Sequence, residues 1–519
     1  MLVSNGATKR PGGENAFPAE DDPTPGARHA LNRANRFFAG FTANTRILHN
    51  RPPLPAAKKT PVVSLDSIAI PFAANLARTM TPPPVPTSTR TPTPFHLLTK
   101  PMGPLCNLDC TYCFYLEKTK LYPDTHNFRM SDEVLERYIR DYIASQPGEE
   151  VAFAWQGGEP TLLGVGFFRK VVELQRRHAN GRRITNALQT NGTLLDDEWG
   201  VFLREQGFLV GISIDGPRAL HDAYRVDRGG KSTFDRVMAG LECLKRNKVD
   251  FNTLAVVNRQ NSRKPREVYQ FLRRFGSRFM QFIPLVERLA PAGDAGGLSL
   301  ASPPDLHGDA DPATQVTAWS VRPEHYGEFL VAIFDEWVRR DVGRVFVQLF
   351  DATLANWVGA PAGVCVFSEK CGRALAIEHN GDVYSCDHYV YPSYRLGNVM
   401  SESLGDMVES QRQRKFGADK SDTLPAYCRA CDWRFACHGE CPKHRFLRTP
   451  DGEPGLNYLC AAYKRFFSSV APYMDVMAQL LRSQQSPAGV MAVVEKIKRG
   501  ETDGGGAKTL RPISAGFLR

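Results

Sequence analysis

No stretch of this 519-residue chain approaches the ~18 uninterrupted apolar residues that a membrane span needs. Its first residues, MLVSNGATKRPGG, lack the apolar core of an export signal. A cytoplasmic protein with no membrane partner is expected. An excess of one charge is also missing from most of the chain. The net charge is +10, but residues 1–95 hold 11 Lys and Arg against 5 Asp and Glu, which leaves only +4 for the other 424 residues. So nearly neutral a body offers no basic groove, and no nucleic-acid partner is expected. Cysteine is not scattered in the way a disulfide framework requires. The 12 cysteines are clustered, and without an export signal such clusters are metal ligands.

The chain divides by composition. Residues 1–94 carry 15 of the 37 prolines and end in TMTPPPVPTSTRTPTP, which favours polyproline II and has no periodic apolar face. This segment is expected to be a disordered extension. From Phe95, short apolar runs alternate with amphipathic ones: strands are expected at 95–98, 151–155, 186–190, 209–214, 251–257 and 279–284. Helical patterns lie between them, such as the one that Ser131 can cap, in which Val134, Tyr138 and Tyr142 share a face. About six such alternations predict an α/β fold with a parallel sheet and a site at the carboxyl ends of its strands. Residues 291–320 are rich in Gly, Pro, Asp and Ser and are expected to form a loop, followed by a helix over 324–340. The expected domains are 95–345, a cysteine-dense 346–480 with a hairpin at 379–387, and a helix and tail over 481–519.

The first cysteine cluster is CNLDCTYC, with Cys106, Cys110 and Cys113 directly after the first strand. Three thiolates cannot complete a four-iron cluster, so one iron stays open to a small molecule, as catalysis requires. A zinc site completed by a distant ligand is the alternative. GGEP follows the second strand. Gly157 and Gly158 allow close backbone approach, and Glu159 offers a carboxylate to an ammonium. Together the two motifs resemble the S-adenosylmethionine site of radical SAM enzymes. The resemblance implies a partial (β/α)6 barrel, the GGE motif on the methionyl amine and Tyr112 near the adenine. QTNG and SIDG match further cofactor contacts and carry over Asn191 and Ser213.

The remaining clustered cysteines are Cys365, Cys371, Cys386, Cys428, Cys431, Cys437, Cys441 and Cys460, enough for two complete four-cysteine sites. Two zinc knuckles would use the same residues. Their spacing resembles the SPASM domain of peptide-modifying radical SAM enzymes. By that resemblance Cys365, Cys371, Cys386 and Cys441 hold one auxiliary cluster and Cys428, Cys431, Cys437 and Cys460 another, making three 4Fe-4S clusters in all. Cys243, inside a helical LECLKR pattern, is expected to be buried packing.

CNLDCTYCFYLEK, AWQGGEPTLL, SIDGP with HDAYR, NGDVYSCDHYVYP and CRACDWRFACHGECPKHRF resemble the anaerobic sulfatase-maturating enzymes over residues 95–467. The family resemblance implies oxidation of a Cys or Ser in a nascent or unfolded sulfatase chain to Cα-formylglycine by a 5′-deoxyadenosyl radical. An external donor such as flavodoxin or ferredoxin would supply the electron. Asp387 occupies the family's proposed base position, with a hairpin cap as its plain alternative. Tyr115 stands at a position linked to the active site. The competing readings are another SPASM enzyme, which crosslinks or epimerises a peptide, and an electron-transfer or zinc-stabilised scaffold.

Overall fold

The computed structural model describes residues 89–291, 298–308 and 314–499. Most of the expected extension and the last residues of the tail lie outside this range. Residues 89–94 are described and are fastened to the fold: Thr89 N–H donates to Ser403 Oγ at 3.0 Å and Thr91 N–H to Ser145 O at 2.9 Å.

Strands and helices alternate through the first half. β1 (His96–Thr99) and α1 (Asp132–Ser145) lead to β2 (Glu150–Trp155), α2 (Gly164–His178), β3 (Arg183–Thr190) and α3 (Asp197–Glu205). Then come β4 (Leu209–Ser213), α4 (Phe234–Arg246), β5 (Phe251–Val257), α5 (Pro265–Arg274) and β6 (Phe279–Pro284). The local signals account for these elements. Ser131 Oγ accepts Val134 N–H at 3.3 Å to cap α1, whose Val134, Tyr138 and Tyr142 are buried. The expected strands at 251–257 and 279–284 match β5 and β6, and the others agree to within three residues.

Strands β1 to β6 lie side by side in chain order, all parallel. This is the half-open α/β barrel expected from the alternation, since each helix returns the chain to the same end of the sheet. After α6 (Pro323–Arg340), β7 (Phe346–Val347) adds to β6, and α7 (Gln348–Trp357) follows.

The cysteine-dense region then joins the same sheet. β8 (Ala374–Ile377) pairs parallel with β1, and β9 (Asp382–Tyr384) and β10 (Arg395–Asn398) extend the edge antiparallel, giving ten strands. The expected hairpin is β8–β9, turning at Gly381 with φ of 87°. Helices α8 (Gln411–Asp422) and α9 (Cys460–Arg482) complete the region. α9 packs on α6, where the Tyr326 and Tyr463 rings meet at 5.8 Å. One apolar core runs from Leu97 and Trp155 to Phe466 and Phe467, all buried. Each large apolar side chain there contributes about 1.5–3 kcal/mol of burial. The β1·β8 pairing and this shared core set the auxiliary cysteines beside the barrel mouth. No described helix is long and apolar enough to cross a membrane.

Candidate active site

The loop after β1 carries Cys106, Cys110 and Cys113, and three other segments hold it. Asp109 N–H donates to Val226 O at 2.9 Å, Thr111 N–H to Tyr224 O at 3.0 Å, and Arg228 Nε to Cys106 O at 3.0 Å. From the GGEP turn, Gly158 N–H donates to Gly103 O at 2.8 Å and Glu159 N–H to Leu105 O at 2.9 Å. A Cβ on Gly158 would lie 1.8 Å from Leu105 O. The close approach this glycine permits is therefore to the cysteine loop itself. Gly157, at φ of 132°, leaves room in the same way: a Cβ there would stand 3.3 Å from both Cα and Cδ of Lys100.

Glu159 differs from the sequence expectation of a carboxylate free for an ammonium. It is 1% exposed. Its Oε1 accepts Thr161 N–H (3.0 Å), Thr161 Oγ1 (2.6 Å) and Thr190 Oγ1 (2.8 Å), and its Oε2 accepts Asn191 N–H (2.8 Å). Burial raises its pKa and these hydrogen bonds oppose the shift. The carboxylate braces the GGEP turn against the end of β3, where Asn191 sits. Asn191 Nδ2 donates to Asn107 Oδ1 at 2.8 Å and lies 3.7 Å from Cys106 Sγ. Ser213, at the end of β4, accepts from Gln189 Nε2 at 3.0 Å.

Tyr112 is buried, and its hydroxyl donates to Asp215 Oδ2 at 2.6 Å. Arg225 Nε pairs with the same oxygen at 3.1 Å, and its guanidinium lies 5.5 Å from the Tyr112 ring centroid. Sequence reading quoted Asp215 and Arg225 within SIDGP and HDAYR without singling them out.

The three thiols feel one another's charge. Burial lifts Cys106 and Cys110 to about 12 and Cys113 to about 11. Buried thiols of this kind are inert unless a metal takes the place of their protons. The other eight divide by the same test. Cys386 feels Cys365 and Cys441, and Cys441 feels Cys365 and Cys371. Cys428 feels Cys460 and Cys431, and Cys437 feels Cys460 and Cys428. The structure thus brings together the same two sets of four that the family resemblance implied. The thiols are grouped but not collapsed, because among the described residues no three His, Cys, Asp or Glu side chains close on a single-ion position. Such spacing suits a multi-iron body better than a zinc ion bound at about 2.3 Å. Cys243 stands apart in α4, buried, with its thiol donating to Asp196 O at 3.0 Å.

Asp387 and Tyr115 meet through Lys100, a residue sequence reading missed. Its ammonium is ion-paired with Asp387 and lies 4.4 Å over the Tyr115 ring. Burial alone would raise the Asp387 carboxyl, but the Lys100 charge foremost holds it below its ordinary value. The Tyr115 hydroxyl donates to Glu378, just beyond β8. Lys443 pairs with Glu287 beyond β6, and Lys118 is buried with its ammonium 3.2 Å from the Tyr391 ring centroid. Burial draws Lys118 down to about 7. Glu287 and Lys100 act on the Cys113 thiol, while Asp387 follows Cys386 in sequence and its charge acts on that thiol. This charged pocket therefore lies between the first cysteine loop and the nearer auxiliary set. A one-electron centre on either side of it and a carboxylate within it can abstract a hydrogen atom, take a proton and pass on an electron.

A half-barrel with an open three-cysteine loop, joined to a four-plus-four cysteine region, defines a radical SAM enzyme. Comparison with known families agrees: the radical SAM superfamily model matches residues 101–272 and the SPASM iron-sulfur cluster-binding domain matches 365–432. A serine-type anaerobic sulfatase-maturating enzyme of Bacteroides thetaiotaomicron is 49% identical over 402 residues, 78% of this chain and 95% of that protein. A cysteine-type enzyme of Clostridium perfringens is 35% identical over 396 residues, 75% of this chain and 100% of its own length. The solved structure described as native anSMEcpe with bound AdoMet is 34% identical, with a TM-score of 0.64, covering 74% of this chain and 99% of that one. The chain belongs to the anaerobic sulfatase-maturating enzyme family.

Proposed function

We propose that this enzyme oxidises a serine or cysteine of a sulfatase polypeptide to Cα-formylglycine, with serine as the preferred target. The preference rests on likeness, since the serine-type relative shares 49% of its residues with this chain and the cysteine-type one 35%. The observation that carries the chemistry is Asp387, adjacent to Cys386 in sequence and ion-paired to Lys100 in the pocket beside the Cys113 loop.

Converting CH2–OH to CHO removes one hydrogen atom, one proton and one electron. When bound, a 4Fe-4S cluster on Cys106, Cys110 and Cys113 with S-adenosylmethionine would supply the 5′-deoxyadenosyl radical, and clusters on the two auxiliary sets would supply an electron acceptor. Around that chemistry the chain's own residues do the positioning. The Asp215–Tyr112–Asn191 side of the barrel mouth and the main chain of Gly157–Glu159 frame the cofactor. Ser213 closes its floor. Asp387 takes the Oγ or Sγ proton of the target, and Lys100 keeps the carboxylate ionised and aimed. Tyr115, tied to Glu378, forms the wall against which the target residue stands. A cytoplasmic enzyme served by a flavodoxin- or ferredoxin-type donor and acting on an unfolded sulfatase chain fits this reading. A radical SAM enzyme that crosslinks or epimerises a peptide would leave no aldehyde. Mass spectrometry of a sulfatase co-expressed anaerobically with this protein should therefore show loss of two hydrogens at the target serine and reactivity with a hydrazine probe. A crosslinked or mass-neutral product would overturn the assignment.

A further inference from the structure

Two buried cations in the cysteine-dense region take no part in the chemistry above. Lys420, on α8, is 0% exposed. Its ammonium donates to the main-chain carbonyls of Cys365 and Ser368, and to Val366 O at 3.0 Å. Arg445 is 2% exposed. It donates from Nε to Gly439 O (2.9 Å), from Nη1 to Lys420 O (2.7 Å), and from Nη2 to His438 O (3.1 Å) and Glu440 O (3.4 Å). All of these partners are neutral carbonyls. Glu440, a buried carboxylate in the same shell, has its Oε2 engaged by His444 Nδ1 at 2.9 Å and Asn457 Nδ2 at 2.6 Å.

Burying a charge without an opposite charge is costly, and carbonyl dipoles offset only part of that cost. The missing anions are close by. The charges acting most strongly on Lys420 are the thiols Cys365, Cys371 and Cys441, opposed by the Arg445 guanidinium. Those acting on Arg445 are Cys428, Cys441 and Cys437, then Glu440. Lys420 thus faces the first auxiliary set alone, while Arg445 lies between the two sets.

We infer that Lys420 and Arg445 are built-in counter-ions of the two auxiliary iron-sulfur centres, and that Lys420 biases the first of them toward holding the electron. A fixed cation favours the more negative, reduced state of a nearby cluster and so raises its potential. The first set flanks Asp387, so the bias places the better electron acceptor next to the proton acceptor. The inference rests on the assignment of clusters to these cysteines and does not depend on which product the enzyme makes.

The test uses the full-length, anaerobically reconstituted protein, with iron counted and the clusters titrated potentiometrically by EPR. The first auxiliary signal is assigned by its loss in Cys371→Ala. Lys420→Gln, which keeps a hydrogen-bond donor but removes the charge, should lower the midpoint of that signal and leave the radical SAM cluster unmoved. Arg445→Gln should lower both auxiliary midpoints. Lys420→Arg and Arg445→Lys should restore them. Full iron content with an unmoved midpoint in Lys420→Gln, or an equal shift of all three signals, would overturn the inference. If Lys420→Gln sheds iron from the first site, retention of that iron by Lys420→Arg supports the counter-ion role. Loss in both variants shows a plain carbonyl plug and rejects it. Zinc in place of iron would overturn the cluster assignment itself, a result that metal analysis separates from the potentials.

Discussion

Lys100 stands where three parts of the site meet: its stem fills the space left by Gly157, its ammonium holds Asp387, and its charge reaches Cys113. Asp387→Asn keeps the shape of the side chain but cannot accept the proton. Formylglycine yield should fall by roughly 10²-fold or more, the scale of losing a general base, while reductive cleavage of S-adenosylmethionine persists. Chromatography of 5′-deoxyadenosine alongside peptide mass spectrometry measures both, and a near-normal aldehyde yield with clusters intact would return Asp387 to the role of a hairpin cap. Lys100→Met should also uncouple cleavage from product. If it acts through Asp387, the double variant should be little worse than Asp387→Asn alone, because the two residues form one unit. Losses that multiply in the double variant would separate them. Residues of this kind were hard to see in the sequence. Asp387 was visible because a cysteine precedes it, whereas Lys100, Lys420 and Arg445 are single basic residues in ordinary contexts, and only tertiary packing buries them.

At the scale of elements, the cysteine loop depends on its neighbours as much as on its own cysteines. The GGEP turn lies flat against it and the segment after β4 hydrogen-bonds along it. A methyl group at Gly158 would overlap Leu105 O at 1.8 Å, so Gly158→Ala must push the loop away. The expected result is loss of the radical SAM cluster and of cofactor cleavage, with the auxiliary clusters kept. Iron analysis and EPR should then match those of the variant with Cys106, Cys110 and Cys113 all changed to Ala. Retention of the cluster in Gly158→Ala would show that the loop adapts. Strands and cysteine groups were legible in the sequence because period and spacing are local signals. The bracing role of Glu159 was not, since its partners Thr190 and Asn191 are about thirty positions away and only the β2·β3 pairing brings them near.

For the whole molecule, composition marked a boundary near residue 94, yet the chain is already fastened at Thr89 and Thr91. Removing residues 1–88 should therefore leave a folded protein with about twelve iron atoms, three clusters of four, whereas a cut at 94 should lower its melting temperature by removing those contacts. Loss of soluble holo-protein on the shorter deletion would assign a structural role to the preceding segment. Alternation of strand and helix announced the half-barrel. The sequence did not reveal that β8 pairs with β1 to make one sheet of both cysteine regions, because strand partners far apart in the chain leave no periodic trace. That pairing places the proton acceptor and an electron acceptor at the mouth of the barrel, which is the central structural claim. The most direct test incubates the reconstituted enzyme with S-adenosylmethionine, dithionite and paired sulfatase peptides carrying serine or cysteine at the target. The account predicts formylglycine and 5′-deoxyadenosine in equal amounts, with the serine peptide preferred. Steady 5′-deoxyadenosine production with no aldehyde on either peptide would contradict it.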